Sequence, residues 1–169
     1  MCLGALAHER SHGFAIAKRL APEGDLGRVW SLSRPLTYRA LDTLMGQGMV
    51  RAVASARSQS GPSRVVLGLT AKGRRSLDAW LREPVTHLRD IRSELLVKLV
   101  LCERLGVDTR ALVAAELAIF EPLHARLVER LQQERIDGAG DQAIDPVSIW
   151  RRENSGAAIR FLHSLQEDK

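Results

Sequence analysis

The 169-residue chain is 45% apolar but only 4% aromatic, which allows an aliphatic core in one extended domain or two small ones. No apolar run reaches the roughly 18–20 residues of a membrane span, and no charged-then-apolar leader opens the chain, so a membrane protein built of spanning helices is excluded. The net charge of +5 is unevenly divided: residues 1–75 hold 12 Lys/Arg against 4 Asp/Glu, and the remainder holds 13 against 16. A basic half joined to a mildly acidic half suits a polyanion-binding module followed by a protein-binding one; the plainer alternative is a basic surface with no ligand. Cys2 and Cys102 lie far apart and outside any CxxC or Cys/His cluster. That spacing argues against a disulfide framework or zinc site and fits a reducing, cytoplasmic setting.

In chain order, Cys2–Ala7 is a short apolar segment. Ser11 offers an N-cap to a helix with apolar Phe14, Ile16, Ala17 and Leu20, and Pro22 stops it. The segment EGDLGRV reads as a loop. Ser33 is the next N-cap, with Pro35 in the first turn. Leu36, Ala40, Leu41 and Leu44 then predict a helix that turns this stripe inward and ends at Gly46 and Gly48. The runs MVRAVAS and RVVLGLT, separated by ARSQSGPS, predict a hairpin. Three helices followed by a two-stranded hairpin is the order of a winged helix-turn-helix. Thr70 caps a further helix ended by Glu83-Pro84.

Beyond Pro84 only helices are predicted: one over Ile91–Leu105 with Gly106 behind it, a long one after Asp108, and one opened by Asp145-Pro146. On the long helix Val113, Leu117, Phe120, His124, Leu127 and Leu131 recur at spacings of 4, 3, 4, 3 and 4, the pattern of a coiled-coil seam that Pro122 kinks. On the last helix Val147, Trp150, Asn154, Ala158, Phe161 and Leu165 make a second seam. A second copy of the chain would bury both stripes, and back-folding within one monomer is the alternative. The expected fold class is therefore mainly α with a small β-hairpin wing. Residues 1–83 are expected to form the DNA-binding domain and 84–169 a helical dimerisation domain, in which any ligand sensing would also lie.

A helix with one apolar face in a basic domain has the geometry of a major-groove reader. On the helix after Ser33, Arg34 and Arg39 can grip phosphate or guanine, Thr37 can meet a thymine methyl or phosphate, and Tyr38 can donate to phosphate. Asp42 would repel DNA and is expected to point aside or orient an arginine. Arg57, Ser63 and Arg64 border the turn that would reach a minor groove. The alternative for each is a solvated surface residue or, for Thr37, a half-buried one. No nucleophile elbow, phosphate loop or HExxH motif supports an enzyme, and the five histidines, His124 included, never fall at metal-ligand spacing. No cofactor or metal is expected.

The runs LGALAHERSHGFAIAKRL, SRPLTYRALDTLMGQGMV and GPSRVVLGLTAKGRRSLDAWL together resemble the PadR family of bacterial transcriptional regulators. The likeness covers residues 3–83 closely and reaches about residue 101 through IRSELLVKLVL; residues 102–169 share only helical character. The resemblance implies a homodimeric repressor of a palindromic operator in double-stranded DNA, often released by a small aromatic effector. Carried onto this chain, it places His12 at the opening of the second helix, Ser33, Arg34, Thr37, Tyr38 and Arg39 on the recognition helix, and Arg64 at the wing. Thr37 stands where relatives commonly carry Leu, and Val66 and Leu67 where they tend to carry aromatics. For an effector, Phe120 and Trp150 are the candidate stacking residues. The rival class is a winged-helix module that binds acidic proteins without reading DNA.

Overall fold

A computed structural model describes residues 1–58, 61–136 and 145–167, and the side chains of all of these except 55–58, 61–64 and 134–136. Its elements, in order, are α1 (Cys2–His8), β1 (Ser11–His12), α2 (Gly13–Leu20), α3 (Arg34–Gly46), β2 (Val50–Ser58), β3 (Gly61–Leu69) and α4 (Ala71–Arg82). There follow α5 (Leu88–Asp90), a π-helical turn over Ile91–Leu95, α6 (Leu96–Leu105), α7 (Arg110–Ile136) and α8 (Pro146–Glu167). The helices α1 to α3 followed by the β2–β3 hairpin make a winged helix-turn-helix, so the mainly α fold with a small wing holds.

Two corrections concern the first helices. Ser11 and His12 form a short strand against Leu67 and Val66, giving a three-stranded antiparallel sheet in the order β1-β3-β2. With Ser11 committed to that ladder, His12 caps α2 instead, its Nδ1 accepting the amide of Ala15 at 3.1 Å. On α3 the inward face is set one residue later than the leucine stripe suggests. Thr37 and Leu41 are buried, whereas Leu36 is 48% exposed. The hydroxyl of Thr37 can enter the interior because it donates to the carbonyl of Ser33, 3.1 Å away in the preceding turn.

The chain forms two compact units: Met1–Glu83 with Ser93–Asp108, and Pro84–Arg92 with Thr109–Lys169. The first unit has one core cluster, in which α1 supplies Ala5 and Leu6, α2 supplies Ile16 and Leu20, and α3 supplies Leu41. The sheet adds Val50 and Leu67, α4 adds Leu77 and Leu81, and α6 adds Val97, Leu101 and Cys102. Helix α6 thus closes the core of the first unit although it lies after residue 83. Local caps fix the joints. Thr70 Oγ1 accepts the amide of Gly73 at 3.1 Å and donates to the carbonyl of Gly48 at 2.7 Å, so α4 starts where the hairpin leaves α3. Gly106 ends α6 at φ 66, a left-handed geometry that glycine takes without steric cost.

The second unit centres on α7 packed against α8. Asp145 caps α8 by accepting the amide of Ser148 at 3.1 Å. The helix α7 runs through Pro122 without a break. Its seam residues Val113, Leu117, Phe120 and Leu131 are already buried within the single chain. The buried stripe of α8 is Ser155, Ala158 and Leu162, while Val147 and Trp150 of the expected seam are exposed and Phe161, Asn154 and Leu165 are half-buried. His124 lies at this helix pair, its Nδ1 2.8 Å from Ser155 Oγ, which donates to the carbonyl of Arg152. Small residues at 155 and 156 let the imidazole approach the α8 backbone, as a Cβ on Gly156 would sit 3.3 Å from its Cε1.

Candidate nucleic-acid interface

The interface is built on α3. Ser33 caps it, its Oγ 3.5 Å from the amide of Leu36, and Pro35 occupies the first turn where no amide donor is missed. With Thr37 and Leu41 turned inward, Arg34, Tyr38, Arg39 and Asp42 are left exposed on the outer face. Beside them lies an open groove of about 650 Å³, bounded by His12, Phe14, Arg34, Tyr38, Met45 and Val65 among others. On its other flank, Leu36 and Ala40 border an apolar groove of about 580 Å³ with Leu3, Trp30 and Leu44, which explains why the leucine stripe is only partly covered.

Inside the first groove the guanidinium carbon of Arg34 lies 5.0 Å from the centre of the Phe14 ring and 5.9 Å from that of Tyr38. His12 stacks on Phe14 with centroids 6.4 Å apart. His12, Arg34 and Tyr38 are thus brought together, whereas Arg39, exposed on the same helix, borders the second groove with Leu36 and Ala40. Ser33 contributes a cap. Thr37 does not belong: at 0% exposure and with its hydroxyl bonded to Ser33, it cannot touch DNA unless α3 unwinds. Arg57, Ser63 and Arg64 fall on the outer parts of β2 and β3, and their side chains lie outside the described residues.

Not all of the basic charge in this half is available to a ligand. Arg19 donates to Asp25 at 3.1 Å and to the carbonyl of Ala5 at 3.0 Å, and Arg104 pairs with the same carboxylate. Burial pushes the Asp25 carboxyl up, but hydrogen bonding and charge from Arg19, helped by Arg104, outweigh it and hold the group below the usual carboxylate range. Lys72 donates to the carbonyl of Gln47 at 2.8 Å, near the C-terminus of α3. Arg51, Arg74 and Arg75 remain exposed. Phe14 is the functional candidate that sequence pattern missed: an apolar residue in the first turn of an amphipathic helix reads as core, yet it is 49% exposed.

The model of the transcriptional regulator PadR-like family matches residues 2–79, the stretch from α1 into α4. The matched stretch holds the whole described face of α3 and both strands of the wing, and the PadR-like family is one of transcriptional regulators, not of enzymes. A curated relative, the probable transcriptional regulator Rv1176c of Mycobacterium tuberculosis, is 27% identical over 94 residues, 56% of this chain and 48% of that protein. The chain therefore spans about half the length of the curated relative it matches. Among solved structures, Bacillus subtilis PadR in complex with operator DNA is 17% identical with a TM-score of 0.47, covering 96% of this chain and 94% of that one. Smu.1604c from Streptococcus mutans UA159 is 19% identical with a TM-score of 0.45, covering 99% and 95%. Among the described residues, no helix is long and apolar enough to cross a membrane.

For an effector or a second copy, the second unit offers less than its pattern suggests. Phe120 is fully enclosed and so cannot stack on a ligand without opening the unit. Val113, Leu117 and Leu131 are likewise covered within the chain, and Leu127 is half-buried, because α7 turns this seam inward. Among the described residues of this unit, the large apolar side chains left exposed are at the start of α8: Val147, Ile149 and Trp150, the last by 67%.

Proposed function

We propose that this chain is a sequence-specific DNA-binding repressor that works as a dimer on a two-fold operator in double-stranded DNA. The observation that carries the reading is the outer face of α3. A capped helix in the stretch similar to the PadR-like family leaves Arg34, Tyr38 and Arg39 exposed while Thr37 and Leu41 seat it on the core. Arginines there can make bidentate contacts with guanine, and Tyr38 can donate to a phosphate. On the same reading, Arg57, Ser63 and Arg64 of the hairpin are assigned to the adjacent DNA backbone. Dimerisation is assigned to the second unit, with the exposed start of α8 as the contact that one chain leaves uncovered. Release by a small aromatic effector belongs to the same reading, with Trp150 rather than Phe120 as its stacking residue.

The test is selection of duplexes from a random library followed by titration with the enriched sequence. A repressor of this kind gives an affinity that falls steeply with salt and survives excess unrelated DNA. Arg34→Ala with Arg39→Ala should reduce that affinity by at least tenfold; unchanged binding by the double variant would remove α3 as the reader. Binding to acidic proteins with no enriched duplex would instead support a protein-interaction module.

A further inference from the structure

Arg34 occupies an electrostatically poor position. It is the first residue of α3, where the helix dipole is positive, and the first turn holds no acidic residue to offset it. A cation there is disfavoured by the positive end of the helix dipole. Among the described residues it is paired with no carboxylate but with two aromatic rings, each within the ~6 Å over which a ring quadrupole attracts a cation. Arg19, by contrast, is bound to Asp25 and the Ala5 carbonyl.

The rings are themselves held. His12 stacks on Phe14 and is fixed by the amide of Ala15 at its Nδ1. Gly13 leaves room for Tyr38: a Cβ at that position would stand 2.8 Å from Tyr38 Cε1, so any side chain would displace the phenol. Phe14 is half in solvent, which the core does not require. These separate features converge on one guanidinium on the exposed face of α3.

We infer that Phe14 and Tyr38 are positioning residues that order Arg34 in the free protein for a bidentate contact with a guanine edge, an inference that rests on the DNA-binding reading above. Guanine O6 and N7 demand two parallel donors in one orientation, whereas a phosphate accepts a positive charge from many. An arginine ordered in advance loses less conformational freedom on contact, so its ordering favours the orientation-dependent partner. The ring of Phe14 therefore contributes to discrimination between sequences and little to general attraction for DNA.

Two measurements test this. In the DNA-free protein, the Nε–Hε resonance of Arg34 should be shifted by ring currents and restricted in motion. Phe14→Leu should return it to the position and mobility of a surface arginine, and Phe14→Tyr should retain the wild-type signal. In titrations, Phe14→Leu should weaken binding to the selected duplex about 5- to 30-fold while its affinity for unrelated DNA, and the salt slope, stay within twofold of wild type; Phe14→Tyr should restore the loss. Equal thermal stability of the two variants guards against a folding defect. A wild-type Arg34 as mobile as that of Phe14→Leu overturns the inference whether or not DNA binds, as does equal weakening on specific and unrelated duplexes. If the wild type enriches no duplex, the DNA reading fails and the guanine contact fails with it, and the resonance of Arg34 tells the two failures apart.

Discussion

The indole Nε1 of Trp80 donates to Oε1 of Glu94 across 2.9 Å, and the same oxygen lies 2.9 Å from Nζ of Lys98. Lys98 is fully buried, lies 4.9 Å from the Trp80 ring centre and donates to the carbonyl of Glu83 at 2.5 Å. The ion pair is lopsided, because the Glu94 side chain is 42% exposed and the lysine only 1%. Removing the acid leaves a cation buried, while removing the cation leaves an acid that water can reach. Glu94→Gln should therefore cost more stability, about 2–3 kcal/mol, than Lys98→Met, about 1 kcal/mol. Urea unfolding of the two variants checks the order; a larger loss for the methionine variant would show that water does not reach Glu94.

Asp25 predicts an acid-sensitive clamp. Its carboxyl titrates below the unfolded value of roughly 3.9, so the charged form stabilises the fold fully above that pH, and the contribution disappears as pH falls through the lower folded value. Asp25→Asn should be destabilised by about 1 kcal/mol at neutral pH, after allowance for solvent screening. The gap between variant and wild type should close on acidification below about pH 4. Melting temperatures across that range measure it, and a gap independent of pH would assign the loss to packing.

Thr37 and Arg39 lie two positions apart on α3 but should fail in opposite assays. Thr37→Val keeps the shape and loses the bond to the Ser33 carbonyl, which should lower stability by about 1 kcal/mol and leave affinity for a selected duplex unchanged. Arg39→Ala should leave the melting temperature in place and weaken the duplex. A Thr37→Val protein that folds normally but loses DNA would place this side chain back at the interface.

Gly73 packs its α-carbon against the chain at Met49, where an added Cβ would stand 2.1 Å from the carbonyl oxygen. Backbone cannot yield as a side-chain tip can. Gly73→Ala should cost about 2 kcal/mol or more, despite the higher helix propensity of alanine. A calorimetric scan that showed stabilisation would mean that α4 can slide off the hairpin.

For the second unit, Trp150→Glu should shift a dimer towards monomer in sedimentation without changing the thermal stability of the monomer. Leu131→Ala should do the reverse, losing about 2–4 kcal/mol of stability through a cavity in a face the chain already buries. Loss of dimer by Leu131→Ala alone, at unchanged stability, would return the contact to α7.

The winged-helix order was legible because it rests on changes of period: leucines at helical spacing, then β-branched alternation around a Gly-Pro turn. The rotation of α3 was not. Leu36, Ala40 and Leu44 share a side with Leu41 at its edge, and pattern gives the width of such a stripe without saying which edge meets the core. Thr37 reads as outward because it is polar, but its hydroxyl is satisfied within its own helix. Phe14 reads as core for the converse reason. On α7, a 4-3 repeat looks the same whether α8 of the same chain or another molecule fills it, so Phe120 could be placed on a seam but not on a surface.

The core of the first unit is closed by residues 93–108, after a detour through 84–92 into the second. On a growing chain, α1 to α4 therefore emerge with one wall absent: Val97, Leu101 and Cys102 arrive later, and Arg104 reaches Asp25 later still. Until then the reading head exposes its apolar interior, and a nascent or truncated product that ends near residue 83 is a substrate for chaperones and proteases. The first unit is thus complete only after synthesis has passed through residues 84–92 of the second, which makes an isolated stretch of α1 to α4 an unstable product.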